Sequence, residues 1–435
     1  MEVALDFGTT NSALAVLEHG DVRLAQFWRR TGAEPTYPSV LYFHPELVDD
    51  RRFPLAVTGA QGIEHYLEED DGEGRLIQSI KSYLVSASFL TTQIFVKRYR
   101  LEELVAQIVE DLKAEAEAEF GTLPGRIVCG RPVHFSKTAN EAEDAFAVER
   151  LERSLRFAGF SEIRFVYEPV AAAFFYERAL TQDELVLIAD FGGGTSDFTL
   201  MHVGPSARNL VEREETIIGT HGVPVAGNAF DYEIVRELVT PHLGRGTHYI
   251  TQMQQIMEVP ASIFADLEWH RLSVLNSARL VSVLEEYIAH GLQPARLEAF
   301  LHIIQSHLGY HLYRSVEGLK VALSSQPEAM FSFVDHDLKI EFPVKRETFN
   351  RCIERPLGAI AGCVDELLER TGISPEQVDR VFMTGGTSFV PAVRTLFEER
   401  FGPHKVATGE QLTSVVRGLA WSARTRGHGG RSALG

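Results

Sequence analysis

Apolar and polar positions along the chain follow two periods, one typical of buried strands and the other of amphipathic helices. Residues 3–7 form an apolar run that predicts a strand, and residues 13–17 predict its partner after a polar, glycine-containing turn. Between residues 101 and 120, apolar side chains recur every three or four positions and Gly121 follows, which predicts a helix with a glycine C-cap. Strand and helix signals alternate through the rest of the chain, and this mixture predicts an α/β fold.

Further elements follow the same two periods. Helical periods dominate residues 231–323, where Pro294 suits a helix start and apolar positions from Leu297 to Leu323 recur at steps of three and four. We interpret this apolar stripe as core and not as a docking surface. Strands are also predicted at residues 127–128, 163–167, 185–189, 198–203 and 380–383, and a helix at residues 141–157.

One strand–turn–strand unit occurs twice in the chain. Residues 6–12, with the sequence DFGTTNS, align with residues 190–196, with the sequence DFGGGTS, and each segment joins an entering strand to a leaving strand. These segments are named the first tip and the second tip. Two related lobes would place the two tips face to face across a cleft.

The length of the chain also indicates more than one lobe. At 435 residues it exceeds the size of one ordinary hydrophobic core. The predicted units are lobe I at residues 1–175 with an outer subdomain at about 40–104, lobe II at residues 176–410 with an outer helical subdomain at about 216–315, a helix at residues 411–425 that returns to lobe I, and a flexible tail at residues 426–435.

Charge and composition disfavour several classes of protein. Lys and Arg number 42 against 60 Asp and Glu, and the resulting net charge of −18 disfavours binding to nucleic acid or to anionic membranes. The three cysteines, Cys129, Cys352 and Cys363, have no CxxC spacing, so neither a zinc site nor a disulfide framework is predicted. Because the sequence shows no signal-peptide pattern and no apolar run near the roughly 18 residues of a membrane span, we expect a cytoplasmic protein.

The two tips combine the features of an anion-binding site. Glycine lets the backbone approach a ligand closely, and successive backbone N–H groups in such a turn form a concave anion site. Asp6 and Asp190 precede the two turns, and their carboxylates would repel each other across a cleft unless a hydrated Mg²⁺ lay between them. The pair of tips therefore predicts a Mg-nucleotide, whereas one tip alone is equally compatible with an ordinary hairpin. The Walker-type pattern GxxxxGK[ST] does not occur in the sequence.

Six segments in order resemble motifs of the nucleotide-binding domain of the seventy-kilodalton heat-shock chaperones, which belong to the actin and sugar-kinase superfamily. The resemblance implies a two-lobed actin-like ATPase fold with duplicated ribonuclease-H-like lobes and inserted outer subdomains. Residues 75–82 and the short C-terminus point further, to the short bacterial homologues of the YegD type. The six segments are residues 5–12, 167–173, 190–197, 226–231, 384–391 and 415–420.

The resemblance also implies ATP or ADP with Mg²⁺ as ligands and gives roles to the matched residues. Asp6 and Asp190 would bind Mg²⁺ through water, and Glu168 and Asp197 would orient the attacking water. Thr195 belongs with these four as a catalytic residue. The residues that would contact the nucleotide are Gly8, Thr9, Thr10, Asn11, Gly192, Gly193, Gly194, Thr195, Gly227, Glu317, Lys320, Ser324, Gly385, Gly386, Thr387 and Phe389.

Several departures from the family pattern change the expected activity. Val321 stands where the family has an arginine, and Phe389 stands where the family stacks an arginine on the adenine. The family's catalytic lysine aligns near Ile63, so we expect slow hydrolysis, and the sequence assigns Lys81 no place in the cleft. After Trp421 only residues 422–435 remain, too few for a peptide-binding domain, so none is expected.

These inferences predict a monomeric, Mg-ATP-driven conformational switch with slow hydrolysis. It would be chaperone-like without a peptide-binding domain, and it would act on an unidentified protein partner or client. One alternative is a small-molecule kinase of the same superfamily, which would phosphorylate a sugar or an acid saturably. A second alternative is an actin-like filament protein, which would pellet in an ATP-dependent manner.

Overall fold

The structure is a computed structural model that describes most of the chain. The tail predicted at residues 426–435 lies outside the described residues, as does part of the helix predicted at residues 411–425. Across the described residues no helix is long and apolar enough to cross a membrane. The described residues are 1–30, 32–69, 73–135, 140–208, 210, 213–265, 267, 277–336, 338–408 and 413–423.

The first part of the chain builds a mixed sheet and the helices that pack on it. Its elements in chain order are β1 (Glu2–Asp6), β2 (Asn11–Glu18), β3 (Asp21–Leu24), β4 (Phe27–Arg29), β5 (Gly32–Glu34), β6 (Tyr37–Pro38), β7 (Leu41–Val48), β8 (Pro54–Thr58), α1 (Gly59–Leu67), β9 (Arg75–Ile77), β10 (Thr91–Ile94), β11 (Lys97–Arg100), α2 (Leu101–Phe120), β12 (Arg126–Arg131), α3 (Glu141–Phe157), β13 (Glu162–Tyr167) and α4 (Glu168–Tyr176). The Asn140 side chain starts α3 by accepting hydrogen bonds from the backbone N–H groups of Ala142 and Glu143. The helices predicted at residues 101–120 and 141–157 are confirmed.

The second part builds another mixed sheet and a larger set of helices. Its elements in chain order are β14 (Glu184–Phe191), β15 (Ser196–Val203), α5 (Pro205–Arg208), β16 (Ile217–Val223), α6 (Gly227–Ile234), β17 (His248–Ile250), β18 (Ile256–Glu258), α7 (Ala278–His290), α8 (Pro294–Gln305), α9 (Gly309–Ser325), β19 (Glu328–Asp335), β20 (Leu338–Lys345), α10 (Arg346–Cys352), α11 (Glu354–Thr371), β21 (Arg380–Thr384), α12 (Pro391–Phe401), β22 (Val406–Thr408) and α13 (Ser414–Ser422). The α/β composition expected from the sequence is confirmed.

The two main sheets share one topology. The strand order is β13-β12-β1-β2-β3 in the first sheet and β22-β21-β14-β15-β16 in the second. In each sheet the central strand pairs antiparallel with the next strand of the chain and parallel with a strand that comes much later. β1 and β14 are therefore equivalent, and Asp6 and Asp190 lie at equivalent ends of these strands. A duplicated lobe predicts this correspondence.

Three apolar cores hold the two sheets and their helices together. One lies between the first sheet, α2 and α3, and a second joins the second sheet to α9 and α11. The third lies between the sheets and includes residues 170–173 of α4 and Val416 of α13. At Gly418 of α13 an added Cβ would lie 1.7 Å from the Ala171 carbonyl oxygen, so only glycine allows this close approach. α13 thereby packs on α4 and on β1.

The prediction that helices dominate residues 231–323 is confirmed across the described part of that range. β17 and β18 also form a short hairpin within this region, and the apolar stripe is divided between two helices, α8 and α9. His307 lies between them with φ of 54°, a left-handed conformation that ends the first helix. The interpretation of the stripe as core is confirmed, because Leu297, Leu312 and Leu323 are buried.

Candidate active site

The structure places the first and second tips against each other. A Cβ added to Gly193 in the second tip would lie only 2.0 Å from the hydroxyl oxygen of Thr10 in the first tip. The Gly193 carbonyl oxygen also accepts a hydrogen bond of 3.0 Å from the backbone N–H of Asn228. The contact requires glycine because any side chain would push the tips apart. The expectation of two tips facing each other therefore agrees with the geometry.

Internal hydrogen bonds shape the second tip, and a close backbone approach shapes the first. The Gly192 N–H donates to the Thr195 carbonyl oxygen at 2.9 Å, and the Thr195 hydroxyl donates to Asp197 Oδ2 at 3.0 Å. In the first tip, a Cβ at Gly8 would lie 2.0 Å from the Asn11 carbonyl oxygen. Gly194 has no atom within 4 Å of an added Cβ, so the second tip is open on that side.

Four carboxylates gather at the strand ends below the tips. Burial, followed by repulsion from Glu168, raises the pKa of Asp6 to about 7, and Lys81 opposes this shift. Burial and then Glu168, Asp6 and Asp197 raise the pKa of Asp190 well above its ordinary value. Burial is also the largest cause that raises the pKa of Asp197 to about 6. Since these side chains act on one another, they form a single electrostatic cluster that favours binding of a cation.

A buried lysine already supplies one positive charge to this cluster. Lys81 Nζ donates to Glu168 Oε1 at 2.9 Å, and the two side chains are only 11% and 12% exposed. Burial lowers the pKa of Lys81, but attraction to Glu168 and Asp6 outweighs burial, and the net pKa is raised. Lys81 therefore stays charged beside the place where the tips meet.

The position of this lysine corrects the sequence analysis. The alignment assigned the catalytic lysine to Ile63, which lies on α1, and left Lys81 without a place in the cleft. In the structure Lys81 lies on the short helical turn Ile80–Tyr83 and reaches Glu168. The sequence offers only a weak signal for Lys81, because Ile80 and Leu84 are buried but Ser82 and Tyr83 between them are exposed. Lysine itself is rarely buried unless its charge is paired.

A second group of predicted residues converges on the other side of the second tip. A Cβ added to Gly227 would lie 3.1 Å from the Thr387 hydroxyl and 3.4 Å from Lys320 Nζ. Lys320 Nζ donates to Asp231 Oδ2 at 2.8 Å, while Asp231 Oδ1 is buried and has no hydrogen-bond partner among the described residues. Sequence reasoning quoted Asp231 within a motif but gave it no role. Ser324 donates to the Lys320 carbonyl oxygen, so its hydroxyl supports the helix.

Comparison with known proteins decides the family. The sequence profile of the Hsp70 protein family matches residues 76–254 and 305–426. This chain belongs to the Hsp70 family. Two relatives, each named Chaperone protein DnaK and each from a strain of Thermus thermophilus, are 26% identical to it over 434 residues. The match covers 95% of this chain and 59% of each relative, so the chain spans about three fifths of the length of these curated relatives.

Membership of the Hsp70 family confirms the resemblance and the actin-like ATPase fold. Residues 255–304 lie outside the matched ranges, in the region where β18, α7 and most of α8 occur. The YegD-type assignment stays a prediction, as do the lobe boundaries and the expected lack of a peptide-binding domain.

The donor set of this Hsp70-family chain fits a hydrated Mg²⁺. Asp6 and Asp190 are half-buried carboxylates with raised pKa values, and a divalent cation would stabilise their charged forms. The Thr10 hydroxyl is buried and lacks a hydrogen-bond partner within the described part of the chain, which suits an oxygen-rich ligand. Among the described residues no three His, Cys, Asp or Glu side chains could hold an ion on their own. Mg²⁺ does not require such a group, because it keeps water and takes phosphate oxygens.

The remaining predicted residues lie on the helical turn after β21 and on α9. Gly385 has φ of 83°, and it leads into the helical turn Gly386–Phe389. The Phe389 side chain at the end of this turn is 52% exposed, and Glu317 is exposed on α9. Both are accessible to a ligand, and the proposed contacts of Phe389, Glu317 and Ser324 with adenosine stay predictions.

The outer parts of the two lobes also meet. The Tyr66 hydroxyl of α1 donates to the His307 carbonyl oxygen at 3.2 Å. The Tyr66 ring packs edge-on against Tyr310 of α9, with ring centroids 5.8 Å apart. In this structure α1 and the α8–α9 region are therefore in contact across the cleft.

Proposed function

We propose that this Hsp70-family chain binds Mg-ATP between its two tips and acts as a nucleotide-driven conformational switch. The observation that carries the proposal is the contact of two topologically equivalent tips above one buried cluster of carboxylates and Lys81. Backbone N–H groups in the tips suit phosphate oxygens, and the cluster beneath them suits a cation. A protein partner or client is proposed on family membership alone.

Each residue of the cluster has a proposed task in hydrolysis. Asp6 and Asp190 would hold a hydrated Mg²⁺, which would supply positive charge against the phosphates. Glu168 and Asp197 orient the attacking water, and the Lys81 ammonium stabilises negative charge that develops on the γ-phosphate. Lys81 and Glu168 hold each other in position through their hydrogen bond.

The proposed reaction depends on positioning and electrostatics, since no nucleophilic side chain is assigned. We propose unstimulated turnover below about one per second, the lower end of ordinary enzyme rates. In the sequence analysis slow turnover rested on a missing lysine, but Lys81 Nζ lies 2.9 Å from Glu168 Oε1, so a lysine is available for the proposed reaction.

Thermal unfolding tests the proposed ligand. Millimolar ATP with Mg²⁺ is expected to raise the melting temperature, because a ligand that binds only the folded state stabilises it by about 2.7 kcal/mol at a hundred times its Kd. EDTA is expected to cancel most of the gain, and the Asp190→Asn variant is expected to lose it. Equal melting curves with and without millimolar Mg-ATP would rule out the proposed function.

The carboxylate cluster predicts that the stability of the metal-free protein depends on pH. The pKa of Asp6 is raised from 3.8 to about 7, so the folded state binds its proton more tightly than the unfolded state does. The corresponding stability is present below pH 3.8 and is lost as the pH rises toward 7, and Asp190 and Asp197 act in the same direction. In EDTA, the free energy of unfolding is therefore expected to fall between about pH 4 and pH 7.

Urea unfolding at several pH values measures this effect. The Asp6→Asn variant is expected to flatten the fall, because the replaced side chain no longer titrates. The control is Asp50→Asn, which changes an exposed aspartate. A slope that is the same in wild type and Asp6→Asn would show that Asp6 does not titrate in this way.

A further inference from the structure

Arg150 is among the most deeply buried charged side chains of the described residues. It lies on α3 and is 1% exposed, although arginine is rarely buried without a partner. Arg150 Nε donates to Glu102 Oε1 of α2 at 2.9 Å, so the two charges are paired across the α2–α3 interface. The pair lies outside the residues given a role in ATP hydrolysis.

The rest of the Arg150 guanidinium donates to backbone carbonyl groups of a single segment. Nη1 contacts the carbonyl oxygens of Tyr83 and Leu84 at 3.3 Å and of Ser86 at 3.2 Å, and Nη2 contacts that of Phe89 at 3.0 Å. This segment, residues 83–89, lies between the turn Ile80–Tyr83 and β10 and contains no strand. The Tyr83 and Ser86 carbonyl oxygens also accept backbone N–H groups of turns within the segment, whereas Arg150 is the donor that joins all four carbonyl groups to α3.

The segment held by Arg150 directly follows Lys81. The Leu84 N–H donates to the Lys81 carbonyl oxygen at 3.2 Å, so the backbone of the lysine is tied to the first residues of the segment. The lysine side chain is long and rotatable, and its ammonium reaches a fixed point only where its backbone is fixed. The side chain of Lys81 is directed at Glu168, with which Arg150 has no hydrogen bond among the described residues.

We propose that Arg150 is a positioning residue that fixes Lys81 in the cleft by holding residues 83–89, with Glu102 orienting the guanidinium. The inference rests on the proposed function, because its rate readout is ATP hydrolysis. Arginine suits this task because its planar fork offers five N–H donors in fixed directions. Lysine has three donors around one atom, so it cannot contact Glu102 and all four carbonyl groups together.

Steady-state kinetics of Arg150→Lys tests the proposal. The variant keeps the positive charge near Glu102 and loses the planar guanidinium group with its five N–H donors. We expect kcat to fall about ten- to a hundred-fold through misplacement of Lys81, while the Kd for Mg-ATP changes less than about threefold. In the double variant Arg150→Lys/Lys81→Ala, kcat is expected to equal that of Lys81→Ala alone, because Arg150 acts through Lys81. Losses that multiply in the double variant would overturn the proposal.

Arg153→Lys is the matched control on the same helix. Arg153 also approaches Glu102, at 3.6 Å, but its side chain is 43% exposed and does not hold the segment. We expect the Arg153→Lys variant to keep the wild-type kcat. Equal losses in the Arg150 and Arg153 variants would also contradict the proposal.

Hydrogen–deuterium exchange of the whole protein separates this inference from the proposed function. Amides of residues 80–89 are expected to exchange faster in Arg150→Lys than in wild type. In Arg153→Lys they are expected to exchange at the wild-type rate. If wild type did not hydrolyse ATP, the proposed function would fail, and the exchange measurement would still decide whether Arg150 holds the segment. Unchanged exchange in Arg150→Lys would overturn the inference. Should that variant not fold, Glu102→Gln offers the same readouts, with smaller expected effects in the same direction.

Discussion

Replacement of Lys81 by alanine is expected to lower the rate of ATP hydrolysis by about a hundred- to a thousand-fold, the usual cost of removing one group that stabilises transition-state charge. Lys81 reaches the carboxylate cluster, with its ammonium 2.9 Å from Glu168. Without it, charge on the γ-phosphate loses a fixed partner in a site where burial strengthens electrostatic interactions. ATP binding is expected to persist, because the two tips and the Asp6–Asp190 pair are unchanged. Single-turnover hydrolysis together with an ATP titration measures both quantities.

Two control variants sharpen the Lys81 experiment. Lys97→Ala removes another lysine of lobe I, one that packs over the Tyr99 ring at 4.3 Å, and is expected to leave hydrolysis unchanged. Ile63→Lys, placed in the Lys81→Ala background, tests the alignment made from sequence. It is expected not to restore activity, because Ile63 lies on α1 and not on the turn that faces Glu168. Restored activity, or full activity of Lys81→Ala, would refute the role given to Lys81.

The main strands and their tips could be predicted because their signals are local. Buried strands that end in an aspartate and a glycine-rich turn occur twice in the sequence, and the structure shows the equivalent ends at Asp6 and Asp190. The α2 and α3 helices have strong amphipathic periods, and α3 begins with a capping box at Asn140. Such features depend on neighbouring residues, so one sequence is enough to recognise them.

The residues that were missed depend on contacts distant in sequence. Lys81 meets Glu168 across 87 positions, and Lys320 meets Asp231 across 89. Arg150 reaches residues 83–89 across more than 60 positions. The β17–β18 hairpin was missed for another reason, since each strand has only three residues and gives almost no period.

Substitution of Gly385 by alanine is expected to destabilise the protein by about 3 kcal/mol and to abolish the gain in melting temperature from Mg-ATP. Gly385 has φ of 83°, which costs an L-residue roughly 1–2 kcal/mol, and overlap in a packed interior adds about 1–3 kcal/mol. The overlap is with backbone, because the new Cβ would lie 2.0 Å from the Phe191 carbonyl oxygen. A shift of Phe191 would move Asp190 and the second tip, which directly adjoin it.

Gly362→Ala is the matched control for Gly385, and urea unfolding with and without Mg-ATP measures both variants. Gly362 lies within α11, and no atom lies within 4 Å of an added Cβ. An alanine there is expected to stabilise the protein by about 0.5–1 kcal/mol, because it removes the backbone entropy cost of glycine in a helix. Gly385→Ala with wild-type stability would show that Phe191 can move without cost. If Gly385→Ala were destabilised but kept the full Mg-ATP gain, the second tip would not depend on Gly385 for binding nucleotide.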